Sequence, residues 1–243
     1  MVGTSTANYQ KFWNTRNSMK RILIINPNSS EEITRDIQKF ARLYVGNEAE
    51  VVTVKIEDAP EFIETYQDEA QAGPGMTRSI QKNQEHYDGF LVACHSDPNL
   101  DLMKEVSHKP VVGIGESSMH SACLLGDRFA VISATAGSIP NKEALVRRYN
   151  LGNQLASVRP LDSGAGTLDK LDLCERVSRD AIDEDGAEVI VLGCADLVGM
   201  SFELQERLGL PVVDGIASGL STLLGFIDQA LFISKVKRYR GHV

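Results

Sequence analysis

The chain carries one segment twice, and each copy closes on a cysteine. The first copy runs Asp88-Gly-Phe-Leu-Val-Ala-Cys94 and continues to Pro110-Val-Val-Gly-Ile-Gly115 and Leu124-Leu125-Gly126. The second runs Glu188-Val-Ile-Val-Leu-Gly-Cys194 and continues to Pro211-Val-Val-Asp-Gly215 and Leu223-Leu224-Gly225. Each cysteine ends a short apolar run of strand character, and open α/β sheets collect their ligands at the carboxyl ends of such strands. The repeat reaches upstream as well: Arg21-Ile-Leu-Ile-Ile-Asn-Pro-Asn28 matches Arg128-Phe-Ala-Val-Ile-Ser-Ala-Thr135 in its strand-then-polar-loop pattern. A chain duplicated in this way is expected to fold as two similar halves with Cys94 and Cys194 on opposite sides of one cleft.

The remaining apolar runs fit that plan. Strand cores at 21–25, 51–56, 90–93, 111–114, 129–133, 189–192 and 212–213 alternate with helical segments, which predicts parallel sheets with crossover helices. The expected fold is α/β, with two similar Rossmann-like lobes related by pseudo-two-fold symmetry and an active site in the cleft between them. One lobe is assigned residues 20–115 plus 216–243, the other residues 116–215. Residues 1–19 are assigned to a disordered leader. Ser29 with Glu32 three residues on makes a capping box, and Ile33, Ile37, Phe40, Ala41 and Tyr44 give the helix behind it one core face. The acidic stretch containing Gly73-Pro-Gly75 is too weakly periodic to predict a helix. It reads either as a mobile cover over the cleft or as a surface excursion.

Bulk composition narrows the function. Hydrophobic residues make up 42% and charged residues 24%, and no apolar run approaches the roughly 20 residues that span a bilayer. A net charge of -8 argues against nucleic acid as the main partner, since phosphate binding needs clustered Lys and Arg. The one basic cluster, Lys235 to Arg240, reads as the solvated end of a C-terminal helix. The first 18 residues lack the apolar core of a secretory signal, so four reduced thiols in a cytoplasmic protein are expected rather than a disulfide framework.

A lone strand-end cysteine is usually a small core residue, but two at matched positions point to chemistry. Asp97-Pro98 reads as an N-cap with proline at the first helical position, which would bring helix N–H groups near Cys94 and favour its thiolate. Cys123 and Cys174 lie in helix interiors and read as core. His95 either tunes Cys94, contacts a ligand or sits in a partly solvated turn. The other histidines, His86, His108 and His120, show no metal-ligand spacing, so no zinc site is expected.

These residues resemble the aspartate, glutamate and hydantoin racemase superfamily, and within it the hydantoin and allantoin racemase branch. The motifs that carry the resemblance are Ile25-Asn-Pro-Asn-Ser29, Ala93-Cys-His-Ser-Asp-Pro98, Pro110-Val-Val-Gly-Ile-Gly-Glu116, Arg128-Phe-Ala-Val-Ile-Ser133 and Leu192-Gly-Cys-Ala-Asp196. The resemblance implies cofactor-independent racemisation of a cyclic ureide, with Cys94 and Cys194 exchanging a proton at C5 from opposite faces. It also implies ring contacts from Asn26, His95, Ser96, Ser133, Thr135, Ala195 and Asp196, with loop N–H groups after each cysteine as donors. Asn26 and Ser133 alternatively hold turns, and Asp214 and Glu116 either orient these loops or act as caps. A small-molecule substrate and a homo-oligomer follow from the same resemblance. Two positions depart from the family pattern: Asp196 stands where glycine is common and His95 where an aromatic is common. An acid at 196 would oppose ionisation of Cys194 and make it the resting acid.

Three other readings remain open at this point. An aspartate- or glutamate-type racemase would need more cationic help than the candidate loops offer. A maleate-type isomerase would use one cysteine as a nucleophile. A two-lobed ligand binder would merely line its cleft with thiols.

Overall fold

The sequence repeat is a repeat of sheets. In a computed structural model, which describes residues 19–161 and 168–241, the first sheet comprises β1 (Lys20–Asn26), β2 (Ala49–Lys55), β3 (Gly89–Val92) and β4 (Val111–Gly113). The second comprises β5 (Phe129–Ser133), β6 (Leu155–Pro160), β7 (Val189–Leu192) and β8 (Val212–Val213). Their orders are β2-β1-β3-β4 and β6-β5-β7-β8, and every pairing is parallel. The chain is thus α/β with two lobes of matching topology. In each sheet the order reverses between the first strand and the third, and crevices form at such switch points.

The registers agree across the repeat. Ile25 faces Val92 in one sheet and Ile132 faces Leu192 in the other, so Cys94 and Cys194 both follow the last paired residue by two positions. The central strands are buried throughout because helices cover both faces of each sheet. On the first sheet, α1 (Glu31–Val45) and α8 (Gly215–Asp228) pack one face through Ile37, Ala41, Leu220 and Leu223. Its other face carries α2 (Tyr66–Asn83) and α3 (Leu100–Val106) through Met76, Ile80 and Met103. On the second sheet, α6 (Lys170–Asp185) and α7 (Ser201–Leu208) oppose α4 (Ile114–Ala122) and α5 (Ile139–Arg148). Among the described residues no helix is long and apolar enough to cross a membrane.

Local details correct several expectations. Helix α1 is capped by Ser30, whose side chain accepts from Ile33 N, while the backbone of Ser29 donates to Pro60. The strand at 111–114 stops at Gly113, because Ile114 already begins α4. Most of the stretch read as a cover or surface excursion is α2, an 18-residue helix opened by a capping box between Thr65 and Asp68. Its periodicity is weak because glycine replaces side chains on the buried face. A Cβ on Gly75 would lie 2.2 Å from Ile56 Cγ2, so glycine permits the helix to approach the segment after β2. The basic tail is not a helix end. Helix α8 stops at Asp228, Ala230 takes a positive φ of 52°, and the following residues form turns. Lys235 Nζ instead donates to the carbonyls of Lys104 and Glu105 in the last turn of α3. Arg238 and Tyr239 bind Asp101 at the start of that helix. The favourable pairing of a cation with a helix C-terminus is therefore made, but with α3.

Replacing Gly75 with alanine is expected to destabilise the protein by about 1–3 kcal/mol through overpacking against Ile56. Urea unfolding measures this as a lower midpoint at unchanged slope.

Candidate active site

The ends of β3 and β7 deliver both cysteines to one cavity of about 130 Å³. Pockets for drug-sized ligands begin at about 300 Å³, so this one suits a small molecule. Its walls include Cys94, His95 and Ser96 from the loop after β3, Ser133 and Thr135 after β5, and Cys194, Ala195 and Asp196 after β7. Phe62, Ile63 and Glu64, just before α2, close another side. Asn141 in α5 donates to the Glu64 carbonyl at 3.0 Å and ties that wall to the second lobe.

Asn26 is not part of the wall. It is fully buried and donates its amide to Asn28 Oδ1 at 2.7 Å and Thr34 Oγ1 at 3.0 Å. It holds the turn after β1, and Asn28 lines the cavity in its place. Ser133 both lines the cavity and bonds to the Ser138 hydroxyl, while Ser138 also donates to the Thr135 carbonyl at 2.9 Å.

The two thiols have different surroundings. Cys94 Sγ lies 3.3 Å from Ser96 Oγ. Burial pushes the Cys194 thiol above its ordinary value, while the Asp196 backbone N–H facing its sulfur acts in the opposite direction. The Asp196 carboxylate has a smaller effect on Cys194 than burial does and bonds Lys170 Nζ at 2.6 Å. The expected cause of an acidic role for Cys194, a neighbouring carboxylate, is therefore replaced mainly by desolvation. Cys174 is core, pushed up to about 12 by burial. Cys123 is the C-cap of α4 rather than an interior residue, and it is half-buried.

His95 matches neither an imidazolium nor a solvated turn residue. It is 1% exposed, and burial holds its pKa well below the ordinary 6.5. Its Nε2 lies 3.2 Å from Ser118 Oγ, while Nδ1 is buried without a hydrogen-bond partner. A neutral ring is what this environment supports.

Asp97 does not cap the helix that follows it. It adopts a positive φ of 48°, and α3 begins only at Leu100 after Asn99. Its carboxylate turns back to accept from Gly115 N at 2.9 Å, Glu116 N at 2.6 Å and Tyr149 OH at 2.7 Å. Burial pushes it up to about 7 against the pull of these donors. It thereby joins the Cys94 loop to the start of α4 and to the end of α5. A Cβ on Gly113 would meet Asp97 Oδ1 at 2.2 Å, which explains the glycine there. Asp214 makes the corresponding connection in the other half, accepting from Ile216 N, Ala217 N and Gly199 N. Glu116 accepts from Gly113 N and pairs with Lys104 at 2.6 Å.

Sequence reasoning missed Lys142. It sits near the start of α5, lines the cavity and is 8% exposed. Burial lowers its pKa, while Cys94, Cys194, Asp97 and Glu69 act to raise it. The cysteine loops are indeed poor in cations, but α5 brings one from outside them. The local sequence Pro140-Asn-Lys-Glu143 resembles any solvated first helical turn and carried no signal for this placement. Among the described residues no group of three His, Cys, Asp or Glu is placed to hold a metal ion.

A two-lobed α/β fold carries one cysteine at each of two equivalent strand ends on the wall of one cavity, and comparison with known proteins supplies the family. The Asp/Glu/Hydantoin racemase family model matches residues 22–223. A hydantoin racemase of Pseudomonas sp. (strain NS671) is 32% identical over 226 residues, covering 90% of this chain and 91% of the relative. The solved allantoin racemase from Klebsiella pneumoniae superposes with a TM-score of 0.85 at 27% identity, covering 92% of this chain and 94% of its own. The allantoin racemase from Pseudomonas fluorescens also gives 0.85, at 26% identity, covering 91% of this chain and 97% of its own. The chain belongs to the Asp/Glu/hydantoin racemase family and is an isomerase of the racemase type.

Asp97→Ala is expected to cost at least about 2 kcal/mol by stranding buried N–H donors, and Tyr149→Phe about 1 kcal/mol. Thermal and urea unfolding of the two variants check both figures and their order.

Proposed function

We propose that the protein racemises a small cyclic ureide, a 5-substituted hydantoin or allantoin, by two-base proton transfer between Cys94 and Cys194. The observation that carries this reading is the placement of both cysteines, at equivalent offsets from equivalent strands, on the wall of one small cavity. The names of the similar proteins, hydantoin and allantoin racemases, support the substrate class. A thiolate removes the C5 proton as the C–H electron pair moves into the ring carbonyl system. The opposite thiol then donates its proton to the other face and becomes the thiolate. The second enantiomer reacts by the same steps with the roles exchanged. Positioned acid-base groups of this kind contribute about 10²- to 10⁴-fold each. Backbone N–H groups and the hydroxyls of Ser96, Ser133 and Thr135 are the candidate donors to the enolate oxygens.

One observation favours a second reading. Lys142 supplies a buried cation of the kind that racemisation of an open-chain acidic amino acid would use, so aspartate and glutamate belong in the substrate panel.

Proton NMR in D₂O with circular dichroism, starting from each pure enantiomer and with no-enzyme controls, tests the proposal. Enzyme-dependent C5 exchange coupled to loss of optical activity is expected from either hand. Cys94→Ser and Cys194→Ser are each expected to lower racemisation more than about 10²-fold, while one-sided exchange of a single enantiomer survives. Full racemisation in either variant overturns the two-base mechanism.

A further inference from the structure

Lys142 poses an electrostatic problem that the two-cysteine reading resolves. Its side chain is more than nine-tenths buried, and it makes no hydrogen bond or ion pair with any described residue. Its ammonium reaches only the cavity that Lys142 lines, and a charge largely removed from bulk water is disfavoured unless a nearby anion matches it. The groups that face it from neighbouring elements can be taken in turn. Glu69 of α2 bonds Ser96 and faces Arg148 more strongly than it faces Lys142. Asp97 is committed to Gly115, Glu116 and Tyr149. Asp196 is paired with Lys170, Glu64 is exposed, and His95 is held neutral by burial. Cys94 and Cys194 share the cavity wall with Lys142 and have no cationic partner of their own, and of the surrounding groups they act most strongly to hold the lysine charge.

We infer that Lys142 sets the charge of the thiol pair, its ammonium keeping one negative charge in the cleft on Cys94, on the substrate or on Cys194 in turn. This rests on the two-cysteine reading above. The balance is simple. At rest there is one thiolate, one thiol and one ammonium. A new S–H bond forms as the substrate C–H bond breaks, and the electron pair stays on the substrate. The opposite S–H bond then breaks as the new C–H bond forms. The charge of the thiols plus substrate is unchanged at each stage, and the lysine keeps its proton. A cation beside one sulfur alone would favour one direction of transfer. One that bears on both suits a reaction that must start from either enantiomer.

The test is iodoacetamide alkylation of the purified full chain across pH 5.5 to 10, read separately at each cysteine by mass spectrometry. Wild type is compared with Lys142→Met and Lys142→Arg, with far-UV circular dichroism recorded on each. In Lys142→Met the first ionisation of the thiol pair is expected to move up by about 1–3 pH units. Lys142→Arg is expected to stay nearer to wild type, and Cys123 serves as the internal control. An unmoved Cys94/Cys194 profile in a natively folded Lys142→Met variant overturns the inference. So does a variant that only raises KM for carboxylate-bearing substrates, which would make Lys142 a substituent-binding residue.

The reciprocal measurement does not require the lysine variant to fold. Competitive acetylation with acetic anhydride reports the ionisation of Lys142 in wild type and in the Cys94→Ser/Cys194→Ser variant. Loss of the thiols is expected to lower the pH at which Lys142 becomes reactive, and an unchanged profile overturns the inference. Neither titration needs a substrate. A shift without racemisation therefore upholds the charge-setting role and sinks the substrate reading, whereas racemisation without a shift does the reverse.

Discussion

A carboxylate with almost no access to water holds the cleft in shape. Asp97 lies three residues beyond Cys94, and it accepts from two backbone N–H groups at the start of α4 and from the Tyr149 hydroxyl beyond α5. One side chain therefore fixes the Cys94 loop, the helix that follows the next strand, and the boundary with the second sheet. Its burial is tolerated because three donors replace the lost water, and a charge or polar group buried without such donors is costly. The close approach also dictates composition around it, since Gly113 and Gly115 leave no room for a Cβ beside Asp97 and the His95 carbonyl. Asp214 joins the Cys194 side to α8 by the same physics, but from the helix cap rather than from the cysteine loop. The two halves thus conserve the connection while exchanging which partner supplies the acid.

That near-symmetry bears directly on chemistry. In the two-cysteine mechanism proposed above, the two thiols need comparable reach from opposite faces of one carbon. Matching registers at Ile25 with Val92 and Ile132 with Leu192 set both cysteines two positions beyond the last paired residue of their strands. The symmetry is broken one layer out. Cys94 has a serine hydroxyl beside it, Cys194 has a backbone N–H, and Lys142 comes only from the second half.

Legibility in the sequence followed the physical origin of each feature. The sheets were readable because buried parallel strands are continuous apolar runs, and the duplication made each run confirm its counterpart. The edge strand β6 was not, since Leu155-Ala-Ser-Val-Arg-Pro160 is only half-buried and carries no apolar run. Helix α2 was hidden by Gly73 and Gly75, which erase periodicity where the backbone must come closest. The basic tail obeyed helix-dipole electrostatics, but with a helix some 130 residues earlier in the chain. Local pattern could not distinguish that from a cation capping its own helix. Asn26 illustrates the same limit at the site, because a polar residue at a strand end can face the ligand or support the turn.

The duplicated segments, their strand character and the cysteine closing each were sufficient to determine a two-lobed α/β chain with two thiols at ligand-collecting sheet ends. These depend on periodicity and spacing, which are properties of the chain itself. Tertiary structure alone decided which groups surround those thiols: Asp97 turning back to α4, His95 stripped of solvent, Asn28 replacing Asn26, and Lys142 entering from α5. Those placements depend on desolvation and on contacts between residues distant in sequence, and neither quantity exists until the lobes have packed.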